Sequence, residues 1–247
     1  MSMDILPPTH EYVRVLAIAG SDSGGGAGIQ ADLKTLAALG CYGMNAVTAL
    51  TAQNTQGVTT IHAAPGEFLA AQIDAVATDI GAHAVKIGML HSAELVHVVA
   101  QAIDRHGLTR VVLDPVMVSA TGAVLIQPEA MQALVSELFP RADLVTPNLD
   151  EATLLLGRPV QTPADMPAAA QALLQMGARA VLLKGGHLAG DEVQDYLIER
   201  GGDAHTMRAE RVHTPNVHGS GCTLSSALAA FLAQGLPLRL AAEAARS

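Results

Sequence analysis

The sequence predicts an α/β domain with a mostly parallel central sheet and helices packed on both faces. Three observations carry that expectation. Short apolar runs alternate with longer amphipathic stretches, the pattern of consecutive βαβ units. Half of the residues are hydrophobic, yet only three Phe, three Tyr and no Trp are present, so the core must be built from small and aliphatic side chains suited to helix-on-sheet packing. No linker rich in Gly, Ser or Pro divides the 247 residues, and no internal repeat is visible.

The elements follow in order. A strand is expected over 13–19, a compact apolar run ending at Gly20, and a helix over 29–39, where Ile29, Leu33, Leu36 and Leu39 share one face. Next come a strand over 46–50, a helix over 65–80, a strand over 84–89, a helix over 93–104 and a strand over 111–116. The second half reads as helix 128–138, strand 144–146, helices 149–156 and 166–176, and strand 180–183. A short antiparallel pair over 194–197 and 207–212 flanks the Gly201-Gly202 turn, an Ala-rich helix covers 222–233, and another helix begins over 237–246. Residues 1–12 are expected to form a tail and 13–247 a single domain. In such sheets ligands sit beyond the carboxyl ends of the strands, so chemistry belongs in the loops that follow the apolar runs.

Composition excludes several classes. The chain has 14 basic and 23 acidic residues, a net charge of −9, which with the scarcity of aromatics argues against nucleic acid as a partner. Two cysteines, Cys41 and Cys222, lie far apart, which points to a reducing, cytoplasmic setting and away from structural zinc. Residues 1–12 carry Asp4, Pro7, Pro8 and Glu11 and lack the basic start and apolar stretch of a signal peptide; no run of apolar residues is long enough to span a bilayer, so no membrane partner is expected.

Two glycine-rich loops stand out. Gly20-Ser-Asp-Ser-Gly-Gly-Gly-Ala-Gly28 follows the first strand and precedes a helix. Its spacing is neither that of a dinucleotide fingerprint nor that of a P-loop, and taken alone it is equally a structural turn or a ligand loop. His218-Gly-Ser-Gly-Cys-Thr223 opens the last long helix, where glycines beside a helix N-terminus offer free N–H groups to an anion. Cys222 sits where the helix dipole favours a thiolate, but packing as a small hydrophobe is the commoner fate of a free cysteine. Asp114-Pro115 ends an apolar strand, and Asn148 with Glu151 either caps a helix or offers oxygens suited to Mg²⁺. Lys184, one of three lysines with Lys34 and Lys86, enters a Gly-Gly turn on the same edge, a placement that suits phosphate.

Taken together, several segments resemble the hydroxymethylpyrimidine and phosphomethylpyrimidine kinases of thiamine biosynthesis, members of the ribokinase-like superfamily. They are AGSDSGGGAGIQADLKT over 19–35, TALTAQNT over 48–55, KIGML over 86–90, VLDPVM over 112–117, TPN over 146–148, KGGH over 184–187 and HGSGCTLS over 218–225. The resemblance covers nearly all of 15–233 and implies a three-layer fold, ATP as co-substrate, Mg²⁺, a small aminopyrimidine substrate and a homodimer. It implies that Gln53 hydrogen-bonds the aminopyrimidine, with Gly20, Ala27, Asp32 and Met89 lining the same pocket. An amide donates and accepts at once, matching the edge of such a ring. It further implies that Cys222 is the catalytic base, that Gly219, Ser220 and Gly221 form the anion hole, that Asp114, Asn148 and Lys184 attend the nucleotide phosphates, and that Glu151 and Asp114 attend the metal. Members of that family usually run on past the position of Ser247, through a helix that helps cover the nucleotide. The expected reaction is phosphorylation of 4-amino-5-hydroxymethyl-2-methylpyrimidine to its monophosphate and then its diphosphate; a pyridoxal kinase of the same superfamily, or a pyrimidine-binding protein without turnover, are the alternatives.

Overall fold

The computed structural model describes residues 11–117, 126–188 and 190–247. Strands β1 (Arg14–Asp22), β2 (Tyr42–Asn54), β3 (Gly57–Ala63), β4 (Ala84–Ile87), β5 (Val111–Leu113), β6 (Leu144–Val145), β7 (Ala180–Leu183), β8 (Glu192–Glu199) and β9 (Ala204–Glu210) form one sheet in the order β3-β2-β1-β4-β5-β6-β7-β8-β9. From β2 to β7 the neighbours are parallel, and β3 on one side and β8–β9 on the other add antiparallel edges. The expected tail over 1–12 lies, as far as residue 10, outside the described residues.

Helices α1 (Gly28–Ala38), α7 (Ser220–Ala233) and α8 (Leu238–Arg246) cover one face of the sheet. Helices α2 (Gly66–Asp79), α3 (Ala93–His106), α4 (Pro128–Ala133), α5 (Leu149–Leu156) and α6 (Met166–Gln175) cover the other. The period-2 alternation of the strands sorts the two cores. Val15, Val112, Leu144 and Leu182 point to the first face and meet Leu36, Leu228 and Ala242. Leu16, Ile18, Val85, Ile87 and Leu113 point to the second and meet Leu69, Val99, Leu134 and Leu173. The same alternation sends Lys86, flanked by Val85 and Ile87, into the layer beneath α1 and α7.

Three departures from the pattern have local causes. Strand β2 runs for 13 residues, past the expected 46–50, and turns back into β3 with the Asn54 side chain accepting from the N–H groups of Gln56 and Gly57. β3 was not expected because its side chains are largely exposed and show no apolar face. The strand expected over 111–116 ends at Leu113, where Asp114 and Pro115 leave the ladder for the site. The helix expected over 128–138 is α-helical only to Ala133 and continues as a π turn and a short 3-10 turn (Leu134–Leu138, Phe139–Arg141).

Candidate active site

A cavity of about 370 Å³ opens beyond the carboxyl ends of β1, β2, β4 and β5 and beside the N-termini of α1 and α7. Asp22, at the end of β1, organises the first glycine-rich loop. Its carboxylate accepts from the N–H groups of Gly24 (2.7 Å), Gly26 (3.0 Å) and Ala27 (2.8 Å) and pairs with Nε2 of His218 at 2.8 Å. Burial pushes this carboxyl up, but the His218 bond and the three N–H bonds outweigh it, and the group sits below the usual carboxylate range. The two loops that the sequence presents separately therefore form one wall. Gly219 completes the join: it is left-handed (φ 82°), and a Cβ there would collide with the carbonyl oxygen of Gly26.

Gly219 is the N-cap of α7 and offers no side-chain cap. The Ser220 N–H turns back to Val217 O at 3.2 Å, so of the expected anion hole the Gly219 and Gly221 N–H groups stay free of backbone acceptors among the described residues, and the Cys222 N–H, not expected there, is free as well. They sit at the positive end of a 14-residue helix. Cys222 is half-buried and lines the cavity. Burial pushes its thiol up; Lys86 opposes this, Asp32 and Asp114 add to it, and a backbone bond from Gly28 opposes it. The net direction is upward, so desolvation outweighs the pull of the helix dipole toward a thiolate.

The charged end of the cavity gathers Asp114, Asn148, Glu151 and Lys184. Oδ1 of Asp114 accepts from Nζ of Lys184 (2.8 Å) and the Thr146 hydroxyl (3.0 Å), and Oδ2 lies 3.2 Å from the Ser225 hydroxyl. Asn148 and Glu151 form a capping box on α5, with each side chain accepting the other's backbone N–H at 2.8 and 2.7 Å. The capping reading is thereby met, and both residues also line the cavity. Glu151 is pushed up to about 7 by burial, against the pull of Lys184, with Asp114 adding to the rise. No cluster of three or more His, Cys, Asp or Glu side chains that could hold a metal occurs among the described residues. Two carboxylates on one wall are nevertheless what Mg²⁺ uses when substrate phosphates and water complete its shell, and a cation there would relieve the charge that raises Glu151.

The neutral end is formed by Gly20, Ala27, Met89, Thr51 and Gln53. A Cβ at Gly20 would stand 2.7 Å from Cε of Met89, so the methionine tip occupies the space that a side chain there would take. Thr48 Oγ1 holds the Met89 carbonyl at 2.8 Å. Gln53 follows a register shift at the end of β2 and projects into the cavity from a strand, where a loop had been expected. Asp32 is the exception among the expected residues. It is fully buried behind the cavity wall, where it accepts from Lys86 at 2.7 Å and Ser226 at 2.8 Å, so it supports the site without lining it.

A family model described as phosphomethylpyrimidine kinase matches residues 22–247. The chain belongs to the phosphomethylpyrimidine kinase family. A hydroxymethylpyrimidine/phosphomethylpyrimidine kinase of Rhizobium meliloti is 51% identical over 233 residues, spanning 94% of this chain and 87% of that protein. A kinase of the same name from Salmonella typhimurium is 48% identical over 222 residues, 90% of this chain and 83% of that one. Among solved structures, the phosphomethylpyrimidine kinase of Clostridium difficile superposes with a TM-score of 0.83 at 40% identity, covering 94% of this chain and 96% of that one. Staphylococcus aureus pyridoxal kinase in complex with AMP-PCP and pyridoxal gives 0.88 at 32% identity, covering 96% and 86%.

Within this family member, sequence reasoning missed Asp22, His218 and Thr51 as parts of the site. All three lie inside the motif segments, but their role is to hold other groups, and pairing between residues 22 and 218 leaves no local signal in the sequence. No helix among the described residues is long and apolar enough to cross a membrane.

Proposed function

We propose that this chain transfers the γ-phosphoryl group of ATP to the hydroxymethyl oxygen of 4-amino-5-hydroxymethyl-2-methylpyrimidine, and then phosphorylates the monophosphate to the diphosphate. The observation that carries the reading is that one cavity is lined by the Gln53 amide at its neutral end, by the Lys184–Asp114 pair at its charged end, and by Cys222 at the N-terminus of α7 between glycine-rich loops.

Gln53 would orient the pyrimidine by donor–acceptor pairing, with Gly20, Ala27 and Met89 against the flat ring. Cys222 would take the alcohol proton as the oxygen attacks phosphorus; a thiol pushed upward by burial is the stronger base once ionised. The N–H groups of Gly221 and Cys222 face the charge that builds on the transferring phosphoryl oxygens, and Lys184 offsets charge on the nucleotide side. Asp114 and Glu151, with Asn148 beside them, would hold Mg²⁺, which supplies neutralisation of phosphate charge and a template for in-line transfer. In the second step the nucleophile is a phosphate oxygen already largely ionised at neutral pH, so no base is needed.

A cytoplasmic setting and a homodimer, both carried by the family resemblance, belong to the same proposal. A coupled ADP-release assay with the pyrimidine alcohol and with pyridoxal tests the whole. Turnover of the alcohol in preference to pyridoxal is expected. Preference for pyridoxal would move the chain to the second reading, for which the pyridoxal kinase superposition at 32% identity speaks only as a relative, and binding without ADP release would make it a pyrimidine-binding protein.

A further inference from the structure

Thr51 and Gln53 stand two residues apart at the end of β2, and both line the neutral end of the cavity. The Thr51 hydroxyl oxygen lies 2.9 Å from the carbonyl oxygen of Ser21 and 3.0 Å from the end of the Gln53 amide assigned as Oε1. Each of these contacts needs a proton, and a hydroxyl carries one. The Ser21 carbonyl can only accept. The Gln53 amide has two isosteric ends, one accepting and one donating, and a half-turn about its last torsion exchanges them.

Only one arrangement gives both contacts a proton. Thr51 donates to Ser21 O, and Nε2 of Gln53 donates to the lone pair of Thr51. The alternative leaves two oxygens facing lone pair to lone pair at about hydrogen-bond distance, which costs roughly the loss of a hydrogen bond. Neither neighbour can step aside. The Gln53 backbone is held on both sides by Ser23, whose hydroxyl accepts from Gln53 N at 2.8 Å and donates to Gln53 O at 2.7 Å. Ser21 is held by Gln30, whose Nε2 donates to the Ser21 hydroxyl at 2.8 Å while its Oε1 accepts from Asp22 N at 2.8 Å. Among the described residues the Gln53 amide has no other hydrogen-bond partner, so Thr51 alone decides its orientation.

We propose that Thr51 is a positioning residue that sets the polarity of the Gln53 amide, with Nε2 turned to Thr51 and Oε1 presented to the cavity, and so fixes which way an aminopyrimidine lies. The inference rests on the reading of Gln53 as the residue that faces the pyrimidine. A 4-aminopyrimidine edge carries an amine donor beside a ring-nitrogen acceptor, and a glutamine edge carries an acceptor beside a donor. The amine must meet Oε1 and the ring nitrogen must meet Nε2. Reversing the amide would require the ring to turn over, which moves the neighbouring 5-hydroxymethyl group to the other side of the pocket. Pyridoxal has a hydroxyl and an aldehyde on the corresponding carbons and no such paired edge, so the fixed polarity favours the aminopyrimidine.

The test uses wild type, Thr51→Val, Thr51→Ser, Gln53→Leu and the Thr51→Val/Gln53→Leu pair. In the ligand-free proteins, the Gln53 side-chain NH₂ resonances, assigned by their loss in Gln53→Leu, should include one hydrogen-bonded proton that moves upfield in Thr51→Val and stays in Thr51→Ser. Calorimetric titration with the pyrimidine alcohol should weaken about tenfold in Thr51→Val, stay within about twofold in Thr51→Ser, and be no weaker in the double variant than in Gln53→Leu, with ATP binding unchanged throughout. An NH₂ pair that ignores Thr51→Val would overturn the assigned polarity. Additive losses in the double variant would overturn the claim that Thr51 acts through Gln53. If wild type binds no pyrimidine alcohol, the proposed function fails, and the amide resonances still decide the polarity.

Discussion

Two lysine–aspartate pairs stand in this molecule at nearly the same length and in opposite circumstances. Lys86 meets Asp32 at 2.7 Å with both side chains 0% exposed, while Lys184, which lines the cavity, meets Asp114 at 2.8 Å with its side chain 13% exposed. Each lysine is pulled down by burial and held above its ordinary range by its carboxylate neighbours, so both stay charged. The difference lies in what else each aspartate has. One oxygen of Asp32 takes both Lys86 and Ser226 and the other has no hydrogen-bond partner among the described residues, so this pair depends on its lysine. Asp114 keeps the Thr146 hydroxyl, and the Ser225 hydroxyl lies near its second oxygen, so it tolerates an ammonium that turns toward a phosphate. On the proposed function, the first pair holds the floor of the cavity in place and the second acts on the ligand.

The largest effect should fall on the sealed pair. Lys86→Met strands a buried carboxylate and is expected to cost about 3–5 kcal/mol of stability in urea denaturation, with much of it recovered in Lys86→Met/Asp32→Leu. A loss below about 1 kcal/mol would erase the distinction. Lys184→Met should do the reverse, lowering kcat/KM by about 10²–10³-fold while the urea midpoint moves far less than for Lys86→Met. If both variants lose stability equally, Lys184 is another structural cation.

A smaller effect sharpens the contrast from the loop side. Asp22 has its carboxyl depressed in the fold, so it contributes stability above the ordinary carboxyl range and loses it as pH falls through the depressed value. Asp22→Asn should therefore cost about 1–3 kcal/mol at pH 7 and converge on wild type in acid. A constant difference between pH 7 and about pH 3, followed by denaturation, would assign the loss to packing instead.

The same contrast explains what was legible in the sequence. Gln53 and Lys184 lie at strand ends after apolar runs and Cys222 in the first helical turn after a glycine-rich loop, where such residues are visible against their surroundings. Lys86 sits inside a four-residue strand in which every position is buried, and its partner lies 54 residues earlier, so neither periodicity nor spacing exposes the pair. That is why Asp32, taken for a pocket-lining residue, turned out to be one layer behind it. β3 escaped for the opposite reason, having too little burial to produce an apolar pattern. Cys222 was legible as a position, but the balance between the dipole and burial was not, because the dipole is a local property and desolvation depends on how the whole sheet packs against α7.

Cys222 lies between the two pairs, and both lysines act on its charge. On the proposed function, Cys222 takes the proton of the alcohol and has no such task for the phosphate. Single-turnover rates of the two phosphorylations, measured across pH for wild type and Cys222→Ala, test this most directly. With the thiol pushed above its ordinary range, the wild-type first step should keep rising on the alkaline side while the second stays flat. In Cys222→Ala the first step should fall by about 10²–10⁴-fold and lose that alkaline rise, with the second step nearly unchanged. Equal losses in both steps, or an alkaline rise that survives the substitution, would contradict the account.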